Sequence, residues 1–148
     1  MAWAADRGHL SQIEETIPPS MAHSALTAPM ATIGVPTEIK ADEQRVALTP
    51  DAVRELVTHG LEVRIQHGAG AGAGISDDAF AAAGAQMVSR DEAWGAHLVV
   101  KVKEPQAEEF AFLRQDMVLF TYLHLAAYPS VGEALLEAGT AAIAYETV

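Results

Sequence analysis

The chain has 148 residues, half of them apolar, a formal charge of -11 and no cysteine. That length suits one domain with a buried core, and the negative charge, with no basic cluster to override it, excludes nonspecific nucleic-acid binding. Lack of cysteine excludes disulfides and thiolate-held metal and fits a cytoplasmic location, while no apolar run approaches the roughly 18 residues of a membrane span.

Residues 1–29 read as a disordered leader. Asp6, Arg7, Glu14 and Glu15 interrupt any apolar signal core, and Pro18, Pro19, Ser20 and Pro29 are turn residues. Met30 directly precedes the first regular patterning, so Met30 or Met21 is the expected natural start of translation.

From residue 31 strands and helices alternate. "ATIGVP" is a strand bounded by Pro36, and Thr49-Pro50-Asp51 starts a helix with an N-cap, a first-turn proline and a first-turn acid. That helix stops at Gly60. "LEVRIQ" alternates as a half-buried strand does, Ser76 caps a helix over Asp77–Ala83, and "AQMV" is a short strand before a helix around Asp91–Gly95. "HLVVKVK" is a strand buried at Leu98-Val99-Val100, followed by a short helix at Glu108–Leu113. "MVLFTYL", a helix over Ser130–Glu137 and "AAIAYETV" complete the pattern. Strands separated by helices, without hairpin turns, predict a Rossmann-like α/β fold: a mostly parallel sheet with helices on both faces. The chain stops close to a strand end, where a finished domain would normally add a helix or tail, so it reads as truncated.

The glycine-rich stretch "HGAGAGAGISDD" (67–78) sits where a dinucleotide loop would sit. Gly68, Gly70 and Ala73 satisfy only the relaxed form of that fingerprint. The helix cap comes later, at Ser76, and the next strand ends in Ser89-Arg90 without the expected acid. The stretch is therefore expected to be a glycine turn rather than a phosphate site, and no cofactor-binding residue is assigned within the chain.

Three segments place cations where chemistry is expected. Lys101 and Lys103 share one face at the carboxyl end of a buried strand, the end at which open α/β sheets bind ligands. Tyr122 and His124 likewise share a face beyond an apolar strand. Arg45, in "EQRVALTP", is suited to holding a carboxylate through two N–H groups. Arginine, lysine and histidine together suit a small anionic oxo-acid, with histidine as acid/base near neutral pH.

The segments "GVPTEIKADEQRVALTP" (34–50), "VRIQHGAGAGAGISDDAF" (63–80), "VVKVKEP" (99–105), "FTYLHLAA" (120–127) and "AIAYETV" (142–148) occur in order, and the chain from residue 31 resembles the N-terminal part of the alanine dehydrogenase family. The resemblance implies a substrate domain over 30–148 and an NAD-dependent interconversion of L-alanine with pyruvate plus ammonium. By it the carboxylate-binding arginine falls on Arg45, the substrate-binding lysine on Lys103 and the general acid/base on His124. It also implies a separate NAD-binding domain further along a full-length chain, and homo-oligomers, typically hexamers. The same N-terminal domain occurs in the α subunit of nicotinamide nucleotide transhydrogenase, which does not need the lysine at 103 or the histidine at 124; retention of both favours alanine dehydrogenase. A non-catalytic truncated product that docks with complete subunits is the alternative of a different class. Under either, the 148-residue chain alone is expected to show no pyruvate amination with NADH.

Overall fold

A computed structural model describes residues 31–148; the expected leader and the alternative start sites lie outside the described residues. Six strands form one sheet: β1 (Thr32–Val35), β2 (Glu62–Gln66), β3 (Gln86–Val88), β4 (Leu98–Val100), β5 (Val118–Thr121) and β6 (Ala141–Ala144). Their order is β3-β2-β1-β4-β5-β6, and every neighbouring pair is parallel. Four α-helices connect them: α1 (Pro50–Thr58), α2 (Asp77–Ala82), α3 (Arg90–Trp94) and α4 (Pro129–Ala138). The parallel α/β architecture expected from the alternation is the one observed.

The helix boundaries follow local chemistry. Thr49, Ser76 and Ser89 each accept a backbone N–H from the first turn of the helix they cap, and Glu92 closes a capping box with Ser89. Four expected elements are shorter or tighter than the sequence pattern suggests. The strand expected over 97–103 ends at Val100, and the one expected over 117–123 ends at Thr121. The segment at Ala107–Phe112 is a 3-10 helix, and Tyr145–Thr147, expected as strand, forms another. In each strand the apolar run outlasts the ladder, because residues beyond the sheet still bury side chains while their backbone turns toward the site.

Residues in register across parallel strands share a face, so the pairing assigns the two layers. Ile33 and Val35 of β1 lie beside Val63 and Ile65 of β2, and this face packs with Val53 of α1 and Phe80 of α2. Gly34 is in register with Val99, and Val99 with Leu119, on the opposite face with Trp94, Val131 and Leu135. Helices therefore cover both faces. Gly34 is where α3 comes closest: a Cβ there would lie 1.9 Å from the carbonyl oxygen of Ala93. Only glycine lets that helix settle on the strand. No helix among the described residues is long and apolar enough to cross a membrane.

Candidate functional site

The strand order reverses between β1 and β4: from β1 the chain builds outward to β3, then returns to place β4 on the other side. Loops leaving two such strands diverge to opposite faces and open a crevice at their carboxyl ends. Pro36–Lys40 follows β1, and Lys101–Pro105 follows β4. The segments after β5 and β6 border the same edge.

Glu38 joins the first two loops. Its Oε1 accepts the backbone N–H of Val102 at 2.6 Å. Its Oε2 accepts the Lys101 ammonium at 3.2 Å and the backbone N–H of Lys103 at 3.4 Å. Lys101 also donates to Glu109 at 3.0 Å, and its side chain is only 1% exposed. Burial raises the Glu38 carboxyl above its ordinary range, and the positive charge of Lys101 works against that rise. The expectation of two lysines on one face is thus corrected. The strand ends before either of them, so the period of two no longer applies, and Lys101 becomes the centre of a buried ion cluster. Lys103 is half-buried, and its carbonyl accepts the Thr121 hydroxyl at 2.8 Å, which ties the β4 loop to β5.

Arg45 is 62% exposed on the segment before α1. Glu43 grips one edge of its guanidinium, with Nε donating to Oε1 at 2.8 Å and Nη2 to Oε2 at 2.6 Å. The Nη1 group has no protein partner among the described residues. The Arg45 hydrogen bonds hold the Glu43 carboxyl down to about 2, and the charge of Lys103 pulls in the same direction. A cleft of about 500 Å³ is lined by Arg45, Val102, Tyr122 and Tyr145 with apolar neighbours. Burial raises the Tyr145 phenol, so it stays a neutral hydrogen-bond donor at physiological pH.

The glycine turn supports this segment. A Cβ on Gly72 would lie 2.5 Å from Gln44 Oε1 and 2.8 Å from the Gln44 carbonyl oxygen, so the turn is a seat for the residue beside Arg45. It offers little to a phosphate. The Gly68 N–H already donates to Asp77 Oδ1 at 2.9 Å, and Asp77 and Asp78 fill the first turn of α2 with negative charge. The residues present do not fit the pyrophosphate of a dinucleotide.

His124 occupies a turn beyond β5 with φ +49°, in the left-handed region that non-glycine residues seldom adopt. Glu146, on the 3-10 turn after β6, stabilises it by accepting the backbone N–H of His124 at 2.7 Å and of Leu123 at 3.1 Å. Those hydrogen bonds, chiefly the one from His124, lower the Glu146 carboxyl. The imidazole stacks on Tyr122 with ring centres 5.5 Å apart, so these two residues do share a face. Nδ1 meets Oε2 of Glu104 at 3.0 Å, and the other Glu104 oxygen bonds the Lys40 ammonium. Lys40, Glu38, Glu43, Glu104 and Glu146 were all missed from sequence. A carboxylate in the loop directly after a buried strand, at 38 and 104, is the signal that points to two of them.

Linkage gives one test of the Arg45 clamp. A carboxyl depressed on folding adds stability above its unfolded value, and that stability is lost as pH falls through the folded value. Between about pH 5 and pH 2 the protein should therefore lose stability more steeply than its Glu43→Gln variant, read from urea midpoints. Parallel curves would show that the clamp adds nothing, as exposed pairs often do.

The family model described as alanine dehydrogenase/PNT, N-terminal domain, matches residues 34–148. Alanine dehydrogenase of Bacillus subtilis (strain 168) is 50% identical over 117 residues, which make up 78% of this chain and 31% of that protein. A solved L-alanine dehydrogenase superposes with TM-score 0.77 at 51% identity, over 78% of this chain and 32% of its own. Transhydrogenase from Sinorhizobium meliloti superposes with TM-score 0.74 at 28% identity, over 78% of this chain and 35% of its own. The chain spans about a third of the length of the curated relatives it matches.

Proposed function

The chain belongs to the alanine dehydrogenase/PNT N-terminal domain family, and on that premise we propose that it is the substrate-holding domain of an NAD-dependent alanine dehydrogenase. The reaction is L-alanine, NAD and water to pyruvate, ammonium and NADH. The observation that carries this reading is the convergence at one sheet edge: Arg45 and Tyr122 line one cleft, His124 stacks on Tyr122, and the loop bearing Lys103 is bonded to both β1 and β5 regions.

Arg45 binds the substrate carboxylate through N–H groups that Glu43 leaves available, while Glu43 fixes the plane of the guanidinium. Lys103 places its ammonium against the oxygen on the reacting carbon and draws electron density from it. His124 gives or takes the proton at that oxygen. The apolar lining from Val46, Ala47 and Ile75 suits a methyl-sized side chain and limits water. The glycine turn does not fit the dinucleotide, so the proposal places NAD on a part of the enzyme outside residues 34–148.

The likeness to a transhydrogenase supports a second reading, in which the domain holds no amino-acid substrate. The two separate in a chimera carrying residues 34–148 in place of the matching domain of the Bacillus subtilis relative. The first reading expects pyruvate- and ammonium-dependent oxidation of NADH. A folded chimera without that activity, but still able to bind NADH, would overturn it.

A further inference from the structure

The environment of His124 decides which of its two ring nitrogens is available to a substrate. We propose that Glu104, anchored by Lys40, is a positioning residue that confines the neutral imidazole of His124 to the tautomer protonated on Nδ1, leaving Nε2 as the atom that exchanges a proton with substrate. The last clause rests on the reading of His124 as acid/base; the tautomer is a property of the chain itself.

The Glu104 side chain is 1% exposed, and its Oε2 lies 3.0 Å from His124 Nδ1. An ionised carboxylate has lone pairs and no proton to give, so the hydrogen between them belongs to Nδ1. Glu104 stays ionised at neutral pH. Burial opposes its charge, yet hydrogen bonds, chiefly from Lys40, then from backbone and His124, more than offset that and hold the carboxyl below its ordinary range.

The carboxylate is also fixed in place. Lys40 bonds Glu104 Oε1, donates to the Tyr128 hydroxyl at 3.2 Å and lies 4.4 Å from the centre of the Tyr128 ring. The Gln106 amide donates to the Glu104 carbonyl at 2.9 Å. On the histidine side, Tyr122 stacks on the imidazole and Glu146 holds the backbone N–H. The charged and titratable groups facing His124 are thus Glu104, Glu146 and Tyr122, with Lys40 behind Glu104. Only Glu104 touches a ring nitrogen among the described residues.

An ion pair between Lys40 and Glu104 would satisfy both charges without a histidine. The ring meets that pair from a left-handed backbone at His124, a conformation that persists only where the surroundings hold it. Strain of this kind at a candidate acid/base points to orientation of the ring. His97, by contrast, places its Nδ1 2.9 Å from the Thr32 hydroxyl at the opposite end of β1, with ordinary backbone and no carboxylate on its ring.

Two-bond proton–nitrogen correlation spectra of the 15N-labelled 148-residue chain distinguish a protonated from a bare ring nitrogen. The His124 signals are assigned by their loss in His124→Asn. We expect Nδ1 protonated and Nε2 bare in the neutral ring, the reverse of the preference of free histidine in water. Glu104→Gln should lower the ratio of the Nδ1–H to the Nε2–H form by roughly tenfold, the weight of one charge-assisted hydrogen bond. A native ring carrying its proton on Nε2, or a ratio unmoved by Glu104→Gln, would overturn the proposal. The native spectrum needs no variant and decides the matter even if Glu104→Gln does not fold. An active chimera with an Nε2–H ring would reject the positioning role and leave the activity standing. An inactive chimera with an Nδ1–H ring would uphold the positioning and reject the activity.

Discussion

Replacing His124 by Asn in the chimera is expected to lower the rate of pyruvate amination by roughly 10²- to 10⁴-fold, the usual contribution of a placed acid/base. Asparagine is the right replacement because His124 has φ +49°, a conformation that asparagine tolerates better than alanine. His124→Ala would add a backbone penalty to the loss of the ring and confuse the two. The ring is 37% exposed, so removing it should leave the domain folded, with a stability cost limited to the hydrogen bond lost at Glu104. KM for pyruvate should change little, since the carboxylate is assigned to Arg45 and the oxygen to Lys103. A loss of less than tenfold in kcat would remove His124 from the chemistry. A loss that appears mainly in KM would make it a binding residue.

The second large effect separates two lysines that are neighbours but one in sequence. Lys101→Met should cost about 3–5 kcal/mol of stability, because Glu38 and Glu109 would be left buried without their shared ammonium. The deficit should narrow as pH falls toward about 4, where protonating Glu38, whose carboxyl burial raises, removes part of the buried charge. Lys103→Met should instead cost under about 1 kcal/mol, as half-buried positions outside a network do, and act on turnover in the chimera. Urea denaturation of both variants at pH 7 and pH 5 makes the comparison. If Lys101→Met proved as stable as the parent chain, the buried cluster would have no structural weight. If Lys103→Met kept normal kinetics, its substrate role would fall.

The same pair shows why part of the site was hidden from sequence. A period of two places Lys101 and Lys103 together only if the segment 97–103 is strand to its end. The ladder stops at Val100, where Glu38 takes over the backbone N–H groups of Val102 and Lys103. That carboxylate comes from a loop 63 residues away from Lys101 along the chain, and no local pattern announces it. Tyr122 and His124 were paired by the same rule beyond a strand that also ends early, yet their rings do stack. There the turn is held by Glu146, which happens to keep both side chains on one side. The glycine stretch was readable as a turn from the position of Ser76. That Gly72 seats Gln44, and so supports the segment of Arg45, required the folded packing.

By itself the sequence determined the alternation of strands and helices, the helix caps, the parallel sheet and the strand ends beyond which Lys103 and His124 lie. These follow from hydrophobic period, capping residues and turn chemistry, all of which act over a few neighbouring residues. Only the tertiary structure decided which lysine is buried, which carboxylates hold its ammonium and which one reaches the ring of His124. Those outcomes depend on loops from β1, β4, β5 and β6 meeting at the reversal of strand order. Charge pairing across such a meeting is set by distance in space, to which position along the chain is a weak guide.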